Sequence, residues 1–575
     1  MKTCVSTRPA SRLAPCVFHC GLVVLLLVLD AVKVTAAPET WGRGAVATVH
    51  PLASEAAVQA MRDGGNAIDA AVAAGLTLGV VDGFNSGIGG GCFLLICKAD
   101  GSVVAIDGRE KAPAKAARDM FLRDGKADTQ LSQTGALAIG IPGSLAVYDF
   151  AIRNYGKRSM KEHLLAAARI AENGFPISQT YAQRLASAVG ELKQFEPARV
   201  IFLKPGGARF AEGEVLKQTD LARSYREIAR HGVSWFYGGE FAGLTEDWMK
   251  RNGGIITAKD FKDYDFKLRE PIRTSYRGFE IVGFPPPSSG GVHVAQILNI
   301  LERFDLRKFG AGSADLIHVI TEAMKLAFAD RAHWLGDPDF VRVPRGLVSR
   351  SYAGKLAKKI DMARATLVPR HEIPEDAAGN IFGKHTTHFS TADAEGNWVA
   401  CTATVNTTFG SKVVIPGTGV VMNNQMDDFS IQPGVANAFG LVGAEANAVA
   451  PGKRPLSSMS PTVVIKDGKP VLSVGAAGGP TIISQTLLAI IYHIDFGMPI
   501  DEALAQPRFH HQWLPDELRI EKTVTDQVRR ELERRGHKLK VMDSMGAAQA
   551  VAFDGAKKRL VGVPDPRGEG RAAGF

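Results

Sequence analysis

The sequence predicts an α+β protein in which two stacked sheets are covered by helices. Residues 54–81 are Ala-rich and helical in pattern, residues 387–404 and 462–476 read as two β-hairpins, and residues 482–496 form a further apolar helix. Helices that precede strands, with more strands and a helix after them, argue against a doubly wound parallel sheet. At 575 residues, 45% of them apolar and 22% charged, the chain buries a large core and carries no signature of disorder.

Taken in order, residues 1–36 read as an export signal. Lys2, Arg8 and Arg12 give a positive start, residues 21–29 an apolar core, and Val34, Thr35 and Ala36 small residues for a peptidase that cleaves after Ala36. The apolar run is shorter than a membrane span needs, with an uncleaved anchor as the alternative. The helical stretch 54–81 breaks at Gly64 and Gly65, and residues 70–78 are apolar nearly all round, as in a buried helix. After the glycine run Gly87–Gly91 come two strands, 93–98 and 103–107, turning at residues 99–102. Arg109 comes directly after the second strand, where a side chain can project into a site.

Residues 140–356 read mostly as helix, most clearly at 144–155, 160–173 and 314–329. Residues 285–291, three prolines followed by Ser-Ser-Gly-Gly, are a rigid turn into a helix that starts near Val292. Residues 364–384 are polar, lack periodicity and carry Pro369, Pro374, Gly379 and Gly383, the composition of an exposed and cleavable connector. Strands 387–393 and 398–404 come next, then 462–466 and 471–476 turning at Asp467-Gly468.

The formal charge of +9 includes a net +3 from Lys2, Arg8, Arg12, Lys33 and Asp30, which leaves the mature chain near +6. Its basic residues are scattered, without the aromatic-interleaved stripe of a nucleic-acid binder. Of six cysteines, Cys4, Cys16 and Cys20 fall in the leader. Cys92, Cys97 and Cys401 have no ligand-like spacing and read as buried small hydrophobes, with Cys92 and Cys97 on opposite faces of one strand. His385, His388, His510 and His511 lack the further ligands of a zinc site, so neither a metal nor another cofactor is expected.

The local feature with the most chemistry is Gly383-Lys-His-Thr-Thr-His388, where the connector meets a strand. A threonine hydroxyl is a poor nucleophile without a base in hydrogen-bond reach. A chain break between His385 and Thr386 supplies one, because the freed α-amine, with a pKa of about 8, lies on the same residue as the hydroxyl. A Thr-Thr pair opening a strand is ordinarily only a β-branched choice, so the pattern alone does not decide.

The surrounding runs do. Thr386-Thr-His-Phe-Ser390, Asn406-Thr-Thr-Phe-Gly410, Asn423-Asn-Gln-Met-Asp-Asp-Phe-Ser430, the stretch from Lys453 to Thr462 and Pro507-Arg-Phe-His-His-Gln-Trp513 resemble the γ-glutamyltransferase family of N-terminal-nucleophile hydrolases. Asp107-Gly-Arg-Glu110 and Gly87-Ile-Gly-Gly-Gly91 match its other half, so the likeness spans the mature chain and is densest from Thr386 onward.

The resemblance implies a four-layer αββα sandwich built jointly by a large subunit, 37–385, and a small subunit, 386–575, cut from one precursor. It implies that Thr386 attacks glutathione and other γ-glutamyl compounds and holds the γ-glutamyl group as an ester. Water, or an amino acid or peptide acceptor, then removes the group. Thr404 would support the nucleophile, and the backbone N–H groups of Gly478 and Gly479 would form the oxyanion hole. Arg109, Ser457 and Ser458 would hold the substrate α-carboxylate, Asp428 the α-ammonium, and Asn406 and Gln425 would add neutral contacts. The lid loop 433–453 carries Phe439 where bacterial relatives often place a tyrosine, so it cannot donate the hydroxyl bond expected toward Asn406. Two other possibilities stay open. One is a glutaryl or cephalosporin acylase on the same scaffold, the other an exported amino-acid-binding protein that does not process.

Overall fold

Alternating apolar runs make strands, and here they make two sheets. The computed structural model describes residues 39–375 and 388–575. The signal segment, the connector from residue 376 onward, His385 and Thr386 lie outside the described residues. The sheet-forming strands are β1 (Thr40–Trp41), β2 (Gly44–Thr48), β3 (Gly91–Cys97), β4 (Val103–Gly108), β5 (Lys267–Arg269), β6 (Ile272–Tyr276), β7 (Phe279–Gly283), β8 (Phe389–Asp393), β9 (Trp398–Thr404), β10 (Thr462–Lys466), β11 (Lys469–Ala477), β12 (Ala547–Asp554), β13 (Arg559–Pro564) and β14 (Arg571–Gly574). One sheet runs β1-β13-β12-β11-β10-β7-β6 and the other β14-β2-β8-β9-β3-β4-β5. Every neighbouring pair in both is antiparallel.

The period of two along each strand sorts residues between faces. Phe93, Leu95, Ala392 and Ala400 from one sheet meet Val282, Val463, Ile465 and Val551 from the other in a single apolar layer. The outer face of the second sheet, with Val46, Leu94, Ile96 and Val399, packs on helices α1 (Pro51–Arg62) and α2 (Ala67–Val81). The outer face of the first, with Ile281, Val464, Leu472 and Val474, packs on α3 (Gly290–Leu301), α4 (Ala314–Trp334) and α5 (Thr481–Ile494). The result is the expected four-layer αββα sandwich. Cys92 and Cys97 do face opposite layers, and all three described cysteines are buried and unpaired.

Helix α2 is buried along its whole length and starts at a capping box. Asn66 Oδ1 accepts from Ile68 and Asp69 N–H, and Asp69 returns a bond from Asn66 N–H. The middle of the chain departs from the expected helical run at 267–283, where β5, β6 and β7 form. The pattern Ile272-Arg-Thr-Ser-Tyr276 is a half-exposed edge strand, and its turn at Arg277-Gly278 has φ of 50° and 79°. β1, β2 and β12 to β14 are likewise additions to the expected strands, being short or rich in Ala and Gly.

The inter-sheet layer changes character toward one end. His388 Nε2 bonds Ser390 Oγ at 2.7 Å and His388 Nδ1 bonds Thr402 Oγ1 at 3.3 Å, while Ser390 Oγ meets Ser473 Oγ of the facing sheet at 2.9 Å. Burial drives the His388 pKa down to about 3, so the ring is neutral. Gly475 faces this ring, and a Cβ there would lie 2.6 Å from its Cγ and 2.8 Å from its Cε1. Gly475→Ala is therefore expected to cost about 1–3 kcal/mol through overpacking. A denaturant midpoint equal to that of the parent protein would contradict this packing.

Candidate active site

β9 and β11 end side by side, and the residues at and beyond their ends line one small cavity of about 60 Å³. Thr404 ends β9 and Asn406 follows it, and after β11 come Gly478 and Gly479. Asp428, Ser457 and Ser458 complete the expected set at its wall. Arg109 and Gln425 are behind the wall, both buried. Asn85, Arg331, Phe439 and Leu441 also line the cavity, and of these only Phe439, in the lid, is expected there from the sequence.

Thr404 is the last inward-facing residue of β9, opposite Gly91 of β3. Its Oγ1 accepts from Asn406 N–H at 2.7 Å, which leaves its own hydrogen free to donate. Asn406 takes a positive φ of 83°, and its Nδ2 donates to the Asn424 carbonyl at 3.1 Å. Gly478 and Gly479 have φ of 130° and 59°, and among the described residues neither N–H donates a hydrogen bond. Two backbone donors without an acceptor among the described residues thus lie at a bend leading into α5, an arrangement chemically able to receive an anion. A Cβ on Gly479 would come within 2.6 Å of Phe439 Cδ1, so the lid ring rests on this bend.

Arg109 is fully buried. Its Nη2 donates to Asp428 Oδ2 at 2.6 Å, its Nη1 lies 3.2 Å from Glu110 Oε2, and its Nε donates to the Pro455 carbonyl at 3.2 Å. The two groups expected to grip opposite ends of an amino acid thus hold each other. Burial outweighs the pull of Arg109 on both carboxyls, raising Asp428 to about 6 and Glu110 to about 7. Gln425 Oε1 is buried without a hydrogen-bond partner among the described residues.

The lid is tied to the adjacent aspartates. Ala438 N–H donates to Asp427 Oδ2 at 2.9 Å, and Asn437 Oδ1 accepts from Phe439 and Leu441 N–H at 3.0 and 3.1 Å. Gln512 Nε2 donates to the Gly440 carbonyl at 2.9 Å. Asp427 and Gln512 thus shape the lid, one from each of two motifs.

Among the described residues one other cluster has metal-binding residue types: His318, Glu322 and His537, all buried. His318 Nδ1 and His537 Nε2 are 2.8 Å apart, within hydrogen-bond distance, and Lys325 Nζ lies 2.6 Å from Glu322 Oε1. A hydrogen-bonded pair of imidazoles beside an internal ion pair accounts for these groups. His318 and Glu322 are four apart on α4, but His537 is 219 positions away from His318, so spacing does not reveal the cluster.

The αββα layers and a cavity at the ends of two central strands define a hydrolase scaffold of the N-terminal-nucleophile type. A sequence profile of the family described as Gamma-glutamyltranspeptidase matches residues 53–575. The chain belongs to that family and is an enzyme. It is 45% identical to the glutathione hydrolase proenzyme of Escherichia coli (strain K12), over 91% of this chain and 90% of that one. The solved cephalosporin acylase of Bacillus halodurans superposes with a TM-score of 0.84 at 29% identity, covering 94% of this chain and 97% of that chain. The Helicobacter pylori gamma-glutamyltranspeptidase superposes with a TM-score of 0.55 at 41% identity, over 58% of this chain and 95% of the solved chain.

Asn437→Ala removes the acceptor that fixes Phe439 and Leu441. Loss of about 1–2 kcal/mol of local stability is expected to speed proteolytic cleavage within 436–442 about fivefold to thirtyfold. Cleavage at the parent rate would show that the lid is held elsewhere.

Proposed function

We propose that the chain is a self-processing γ-glutamyltransferase that cleaves γ-glutamyl compounds such as glutathione. The precursor breaks between His385 and Thr386 into subunits 37–385 and 386–575, after removal of an export signal, 1–36, that directs it to the periplasm or the exterior. Among the described residues no helix is long and apolar enough to cross a membrane. The observation that carries the proposal is that Gly478 and Gly479, whose N–H groups have no acceptor among the described residues, line the same cavity as Thr404 and Asp428.

In the proposed mechanism the Thr386 amine takes the proton of its own hydroxyl as the oxygen attacks the γ-carbonyl. Gly478 and Gly479 stabilise the oxyanion, the leaving amine accepts the proton, and an ester remains. Water or an acceptor amine then repeats the sequence in reverse. Asp428 receives the α-ammonium, and Arg109, Ser457 and Ser458 form the α-carboxylate side. The precursor name of the Escherichia coli relative supports processing, and Asp428 supports a γ-glutamyl substrate. A glutaryl group, the acylase alternative, has no ammonium for that carboxylate.

Thr386→Ala is expected to run as one band on denaturing electrophoresis and to lack activity, whereas the parent runs as two. A processed, active variant would refute the assignment. The pH dependence separates the substrates. Asp428 titrates at about 6, so it is charged above that pH and loses its grip on an ammonium as pH falls through it. KM for a γ-glutamyl anilide is expected to rise about tenfold per pH unit below pH 6. A glutaryl anilide turned over faster than its γ-glutamyl counterpart would instead favour the acylase.

A further inference from the structure

Residues Leu316 to Arg331 of α4 are buried without a break, and that stretch ends on two charges, Asp330 and Arg331. Asp330 is enclosed by donors: Gln296 Nε2 at 2.7 Å, Tyr352 Oη at 2.8 Å and Glu372 N–H at 2.9 Å. Arg331 is not matched in this way. It is 5% exposed, lines the cavity, and has no carboxylate within ion-pair distance among the described residues. Its Nε donates to Ser289 Oγ at 3.0 Å and its Nη2 to Ser458 Oγ at 3.4 Å.

A desolvated cation is costly unless an anion or strong acceptors compensate it. Burial lowers the Arg331 pKa to about 10, which still leaves it charged at neutral pH. Arg109 differs, because Asp428 and Glu110 already neutralise it. Asp428 acts on Arg331 only from beyond ion-pair distance and is already bonded to Arg109, so Arg331 is the less compensated cation at the cavity wall. Its bond to Ser458 also sets a direction. The serine oxygen accepts from the guanidinium, so the serine hydrogen is left to donate toward the cavity. Ser289 braces the arrangement, because its own Oγ and N–H donate to the Ser457 carbonyl at 2.6 and 2.8 Å.

We propose that Arg331 is a specificity-determining residue. It binds the α-carboxylate of the substrate with its cavity-facing guanidinium and turns the Ser458 hydroxyl toward the same carboxylate. This rests on the γ-glutamyl reading of the site. The pairing needs no rearrangement of the Arg109–Asp428 contact, and it makes the site select for an anion beside the ammonium.

The test uses the processed enzyme with a γ-glutamyl anilide, inhibited competitively by L-glutamate and by its α-amide, which keeps the ammonium but lacks that charge. The parent is expected to bind L-glutamate about tenfold to a hundredfold more tightly than the amide. Arg331→Gln is expected to lower that ratio severalfold, leaving what Arg109, Ser457 and Ser458 contribute, and Arg331→Lys to restore part of it. An unchanged ratio in Arg331→Gln, or equal weakening toward both inhibitors, overturns the proposal, since a merely structural role weakens both alike. If Arg331→Gln does not process, Ser289→Ala, which removes the Nε anchor and the Oγ bond to the Ser457 carbonyl but keeps the Ser289 N–H bond to that carbonyl, is expected to lower the ratio severalfold, and no change there is equally fatal. A parent enzyme inert toward the γ-glutamyl anilide fails in the wild-type arm, before any variant is compared, and takes this proposal with it.

Discussion

Strand β8 is hydrogen-bonded on both edges, and the site depends on that constraint. Ser390 is paired with Ala47 of β2 on one side and with Ala400 of β9 on the other. A slip of one residue would carry Ser390 and Ala392 out of the inter-sheet layer and put Phe389 and Thr391 in their place, so the register is strongly specified. His388, the first described residue after the connector, is fixed by the same pairing against Thr402 and beside Gly475. The ends of β9 and β11 then open into one cavity, which brings Thr404 beside Gly478 and Gly479 although they are far apart in the chain.

Around that geometry the charges are arranged in a nearly dry setting. Arg109 and Asp428, 319 positions apart, meet at 2.6 Å and join the two halves of the sequence at the cavity floor. Glu110 stands on the other side of Arg109, and burial raises both carboxyls above their ordinary range. Electrostatic interactions are stronger here than at the surface because little water screens them. A ligand end bearing one positive and one negative group suits such a place better than a ligand with a single charge. The lid adds to the enclosure, with Phe439 resting on Gly479 and its backbone anchored through Asn437, Asp427 and Gln512.

Much of this is legible in the sequence where local signals agree. β9 and β10 begin and end at the residues their alternation marks, and the helices 144–155 and 160–173 match theirs. The glycine run stands where backbones pack closely, and Gly90 does lie against the Thr404 carbonyl. β6 is hard to see in the sequence because an edge strand exposes one face and keeps polar residues there, which blurs a period of two. The strands near the chain ends are short or small-residue sequences that form only because a partner strand is available. Arg331 carries no motif of its own. Its one signal is an arginine closing an apolar helical stretch, and what it faces depends on Ser289 and Ser458 from other elements. Arg109 and Asp428 are each marked in the sequence by the motifs that carry them, but their mutual contact is tertiary and no spacing encodes it.

The covalent intermediate is the most direct point of test. Active enzyme would be quenched during turnover of a γ-glutamyl substrate, digested, and its peptides weighed and sequenced by mass spectrometry. The expected result is a peptide whose free amino end is Thr386 and whose threonine oxygen bears one γ-glutamyl group. A label on any other residue, or an active population in which Thr386 is still joined to His385, would contradict it.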